Sequence, residues 1–152
     1  MTLLKSYYQL CKPNVVYMML ICAFVGMLLA EESVTSFGYL MVSLLGIALC
    51  AASAAAINQV IDRNTDASMT RTDQRPLPQG ELSVSHASLF ALVVGILGAL
   101  VLYLFVNTLT MFLTLASLVG YAFIYTVYLK RATPQNIVIG GLAGAAPPLL
   151  GW

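Results

Sequence analysis

The chain has 152 residues, 60% of them hydrophobic and only 9% charged, with a mean hydropathy of +0.88. Soluble domains carry about a quarter charged residues, so this composition excludes a water-soluble globule. Seven Lys and Arg against six Asp and Glu leave a net charge of +1, and so few cations form no dense basic face for a nucleic acid.

The segment before Lys12-Pro13 is short and shows no small-residue cleavage site after its first apolar run. A cleaved signal is therefore not expected, and the first span should stay in the membrane. Val15 to Ala30 makes a thin first span, ended by Glu31-Glu32-Ser33, and Phe37 to Ile61 makes a longer second one. Asp62 to Ser85 then holds most of the remaining charge, with Arg75-Pro76-Leu77-Pro78-Gln79-Gly80 breaking any helix. Apolar runs return over Ala87 to Val106, Leu109 to Leu129 and Ile137 to Trp152. Runs of about 20 apolar residues are read as spanning helices. The expectation is an all-α, polytopic transmembrane helical bundle with four complete helices and part of a fifth. Cys11, Cys22 and Cys50 form no CxxC pair and are expected to act as small hydrophobes.

With alternating helices, all seven basic residues (Lys5, Lys12, Arg63, Arg71, Arg75, Lys130, Arg131) fall on one side, and the opposite loops carry Glu31 and Glu32. The positive-inside rule then predicts a cytoplasmic N-terminus and a cytoplasmic Asp-rich loop. The second span, rich in Gly, Ala and Ser up to Ala56, permits close backbone approach and is expected to be central in the bundle.

At the cytoplasmic end of that span, Asn58, Asp62 and Asp66 follow at four-residue spacing. On a helix these positions form one stripe. Two carboxylates a turn apart repel unless a cation lies between them. Mg²⁺ suits the gap, since it takes oxygen ligands and is typically held by one or two carboxylates plus substrate phosphates. Facing lipid, each charge would cost roughly 2.5–3.5 kcal/mol, so the stripe is expected to face the bundle interior as a diphosphate site.

The NxxxDxxxD pattern of Asn58, Asp62 and Asp66, joined to Arg71-Thr-Asp-Gln-Arg75-Pro76-Leu77-Pro78-Gln-Gly80, resembles the first Asp-rich motif of the UbiA superfamily of intramembrane prenyltransferases. The stretch Tyr125 to Trp152, with Lys130-Arg131-Ala-Thr133-Pro134-Gln135-Asn136, looks like the haem-directed branch more than the quinone-directed one. The resemblance runs from Lys12-Pro13 to the end of the chain. It implies a single bundle of about nine helices with a second Asp-rich motif in the C-terminal half. Residues 1–152 would then be the N-terminal part of that domain, with weak or absent turnover on their own.

The implied reaction transfers a farnesyl group from farnesyl diphosphate to a vinyl group of haem b, here a substrate and not a cofactor. Asp62 and Asp66 would be catalytic, and Asn58, Asp62 and Asp66 would hold Mg²⁺. Arg71, Arg75, Lys130 and Lys12 would bind the diphosphate. The setting would be the bacterial inner membrane, with haem A synthase or terminal oxidase assembly as partners. Two alternatives stand beside this reading: an aromatic acceptor such as a quinone precursor, and a catalytically inactive helical membrane subunit. His86 is expected to serve the start of the third span instead of binding haem. Arg63 is expected to point to another helix face.

Overall fold

The structure is a computed structural model and describes residues 3–30, 36–122, 126 and 145–151. Five helices appear in chain order: α1 (Leu3–Leu10), α2 (Pro13–Leu29), α3 (Phe37–Ala67), α4 (Val84–Phe105) and α5 (Thr108–Val119). Residues 145–151 are also helical. Lys130, Arg131, Tyr125 and Tyr128 lie outside the described residues, as does most of the stretch from Tyr125 onward.

Among the described residues, α3 and α4 are each long and apolar enough to cross a membrane. The first span differs from the sequence expectation, because α1 and α2 form one apolar pair bent by 47° at a short break. Pro13 sits at the start of α2, where its missing N–H costs nothing and its fixed φ suits a helix. Lys12, just before it, has φ 49° and ψ 63°. That left-handed conformation costs a non-glycine residue roughly 1–2 kcal/mol.

α3 is the axis of the bundle and packs against α1, α2, α4 and α5. Over their most apolar windows, 56% of α3 is buried against 17% of α4, so α3 is the enclosed helix of the pair and α4 the exposed one. The α3–α4 seam is built from small residues. A Cβ on Gly98 would lie 2.7 Å from Cys50 Sγ and 2.9 Å from Cys50 N, so only a hydrogen fits there. Ser53 Oγ donates to Ala91 O across the same seam at 2.7 Å. Such close approach is how helices associate where lipid removes the hydrophobic drive.

α3 does not stop at Ile61; it carries both carboxylates and ends at Ala67. The segment 68–83 then folds back as a series of turns. Pro76 O accepts from Glu81 N at 2.9 Å, and Gly80 takes the left-handed φ of 71° that closes the turn. Leu77 and Leu82 are buried with Leu10, Ala56, Ala87 and Ala91, and Tyr7 packs on Phe90 with ring centroids 4.9 Å apart. This cluster pins α1 and the loop against the polar end of α3. His86 is in the first turn of α4, where its backbone N–H donates to the N-cap Ser83.

Candidate functional site

One face of α3 continues from the apolar half of the helix into the polar end. Cys50, Ala54, Asn58, Asp62 and Asp66 follow each other every four residues, a stripe that drifts slowly around the axis at 3.6 residues per turn. Asn58, Asp62 and Asp66 are each only 4% exposed, so the structure places all three together in the interior.

Their charges are met locally. Arg75 Nη1 lies 2.6 Å from Asp66 Oδ2, as a hydrogen bond and an ion pair. Thr72 Oγ1 donates to Asp66 O at 3.0 Å, which ties the loop to the last turn of α3 and holds Arg75 in reach. Asn58 Nδ2 donates to Asp62 Oδ2 and to Thr126 Oγ1, both at 3.1 Å. Lys12 Nζ donates to Asn58 Oδ1. Arg75 thus meets Asp66 directly, and Lys12 reaches the amide that bonds Asp62.

Lys12 and Arg75, both expected from sequence, are brought to the stripe. Arg71 is not: it is exposed and pairs with none of the described residues. Lys130 lies outside them. Arg63 is exposed and donates to Val60 O at 3.0 Å, on a different face as expected.

Three polar residues near the stripe went unread in the sequence. Gln59 is 2% exposed and donates to Gln9 O and Leu10 O at 3.0 and 3.1 Å. Thr126 is fully buried and passes the Asn58 contact on to Tyr121 O at 2.9 Å. Thr114, on α5, is buried and its Oγ1 has no hydrogen-bond partner among the described residues. The available signal was a polar side chain inside an apolar run, itself a mark of function or interhelical bonding.

Below the stripe lies an apolar cavity of about 190 Å³. Its wall includes Val16 and Met19 of α2, Cys50 and Ala54 of α3, and Leu118 of α5, with Lys12 also on its lining. The arrangement therefore joins a charged, oxygen-rich end to an apolar slot, which suits a molecule with an anionic head and a hydrocarbon tail.

The oxygen donors fit a hard divalent cation. Among the described residues no three His, Cys, Asp or Glu side chains cluster as a complete metal site. The protein offers two carboxylates, a partial set of the kind Mg²⁺ completes with phosphate oxygens and water, while Asn58 turns its Nδ2 to Asp62 and its oxygen to Lys12.

The profile of the UbiA prenyltransferase family matches residues 19–152. The chain is 59% identical over 148 residues to protoheme IX farnesyltransferase 2 of Pseudoalteromonas atlantica, covering 97% of this chain and 48% of that protein. It is 57% identical to protoheme IX farnesyltransferase 1 of a Shewanella species, with 97% and 49% covered. The corresponding protein of Saccharophagus degradans gives 57%, again with 97% and 49% covered. The chain thus spans about half the length of the curated relatives it matches. Among solved structures, a UbiA homolog from Archaeoglobus fulgidus bound to DMAPP and Mg²⁺ superposes with a TM-score of 0.82 at 22% identity. That match covers 96% of this chain and 52% of the other, and it establishes the likeness of fold.

Proposed function

Because the chain belongs to the UbiA prenyltransferase family, we propose that its polar stripe binds the diphosphate of farnesyl diphosphate through Mg²⁺, for farnesyl transfer to a vinyl group of haem b. The observation that carries this reading is the burial of Asn58, Asp62 and Asp66 on one face of α3, above an apolar cavity. The names of the half-matching relatives support the acceptor. It is a membrane protein, and the one-sided placement of Lys and Arg supports a bacterial inner-membrane setting with the stripe toward the cytoplasm.

The chemical problem is to break an allylic C–O bond while the departing diphosphate gains charge. Asp62, Asp66 and the carbonyl oxygen of Asn58 would hold Mg²⁺, which when bound neutralises that charge as a Lewis acid. Lys12 and Arg75 would give up Asn58 and Asp66 for the stronger anion, and the Asn58 amide, which now turns its Nδ2 to Asp62, would rotate to offer Oδ1 to the metal. Placed in advance where charge develops, such cations lower the barrier more than they would in water. The cavity walls from α2, α3 and α5 would keep water from the allylic cation until the acceptor reacts. Arg71 is assigned to the diphosphate by family likeness alone. Lys130 keeps the same assignment on the same ground.

The test is binding by the detergent-purified chain. Farnesyl diphosphate is expected to bind with Mg²⁺ and not with EDTA, and haem b to compete against hydroxybenzoate for the acceptor site. Mg²⁺-independent binding would reject the site, and a preference for hydroxybenzoate would move the acceptor to the quinone-directed class.

A further inference from the structure

We propose that Gln59 is a positioning residue, which locks the corner between α1 and α2 against α3 so that Lys12 is aimed at the diphosphate stripe. The inference rests on the functional reading above for what Lys12 does there. Gln59 follows Asn58 directly, and consecutive helical residues are turned by 100°. One turn of α3 therefore faces two ways, with Asn58 toward the stripe and Gln59 toward α1.

The corner has the features of a joint held from outside. A helix leaves its last carbonyls without intrahelical partners, and away from water such groups must be satisfied. Gln59 Nε2 supplies both Gln9 O and Leu10 O. Leu10 is fully buried beside them, and Lys12 N donates to Gln9 O at 3.1 Å. Lys12 then turns through its left-handed conformation, and its carbonyl accepts from Val15 N and Val16 N to begin α2. A non-glycine residue persists in that region only where its surroundings over-determine it. The product of the turn is that Lys12 Nζ reaches Asn58 Oδ1. Gln59 is buried and touches backbone alone among its hydrogen-bond partners, so its effect on the site passes through the corner.

Cys11 lies inside this corner, half-buried and unpaired, and reports on it without reference to substrate. In a Cys22→Ala, Cys50→Ala background, N-ethylmaleimide labels Cys11 alone. Gln59→Met is expected to speed that labelling about tenfold and to raise the Kd for farnesyl diphosphate with Mg²⁺ about tenfold, the equivalent of one hydrogen bond to a charged group. Lys12→Gln should weaken diphosphate binding without speeding the label. The double variant should bind no more weakly than Lys12→Gln alone, because residues acting through one contact are not additive. Gln59→Asn, with a shorter arm, should show both effects in smaller degree and covers the case in which Gln59→Met does not accumulate.

An unchanged labelling rate in both Gln59 variants, or additive losses in the double variant, overturns the proposal. If the unsubstituted chain fails to bind farnesyl diphosphate, the functional reading falls, while Cys11 labelling still decides whether Gln59 holds the corner.

Discussion

The two halves of α3 are buried by opposite means. From Leu40 to Ala56 the helix is enclosed by α4 and α2 through small side chains and shape, with Gly46, Gly95 and Gly98 at the closest approaches. From Asn58 to Asp66 it is enclosed by hydrogen bonds and charge, with Lys12, Thr126, Thr72 and Arg75 as the partners. The first half has almost no choice of neighbour, because only a hydrogen fits at Gly98. The second half makes contacts that a stronger anion can exchange. One helix thus serves as both frame and site, and substitutions in its two halves should fail in different assays.

The largest separation is expected from Asp62→Ala. It removes a buried carboxylate from the stripe and should lower affinity for Mg²⁺ and farnesyl diphosphate about 10²–10³-fold, the scale of losing one preorganised electrostatic contact. Its thermal unfolding in detergent should stay close to that of the unsubstituted chain. A similar affinity would remove the contrast between the halves.

Gly98→Leu should do the reverse. Overpacking of this kind costs about 1–3 kcal/mol, visible as a lower melting temperature or loss of the folded fraction. Diphosphate affinity of the remaining folded protein should be nearly unchanged. A variant that melts normally would show that the α3–α4 seam is looser than the geometry implies.

Arg75→Gln is expected to fall between these, with about tenfold weaker diphosphate binding for the loss of a charge-assisted contact. A steeper salt dependence in the unsubstituted chain than in the variant would sharpen the assignment. The smallest effect belongs to Ser53→Ala, which removes the interhelical bond to Ala91 O. Such bonds average about 0.6 kcal/mol in membranes, so equilibrium unfolding should register a small loss and ligand binding none.

Much of this contrast was readable from residue order. Four-residue spacing brought Asn58, Asp62 and Asp66 onto one face, and the cost of charge in lipid turned that face inward. The run of Gly, Ala and Ser marked the close seam with a neighbour. Where the chain stops being periodic, the reading thinned. Arg75 reaches Asp66 because turns through Thr72, Pro76 and Gly80 fold the loop back, and no spacing rule encodes that path. The same loop leaves Arg71 exposed, though both arginines share one motif. Gln59 was hidden by its neighbours, since the pattern of the stripe passes over it and its partners are backbone carbonyls of α1. That helix, at eight residues, is too short to show a period of its own, so the bend at Lys12 was not foreseen either.

The most direct test of the stripe uses Mn²⁺ in place of Mg²⁺, with electron paramagnetic resonance on the detergent-purified chain. Adding farnesyl diphosphate should produce bound Mn²⁺ with hyperfine coupling to ³¹P, and Asp62→Ala and Asp66→Ala should each abolish that signal. Bound Mn²⁺ without ³¹P coupling, or a signal that survives both substitutions, would contradict a metal-bridged diphosphate at the inner end of α3.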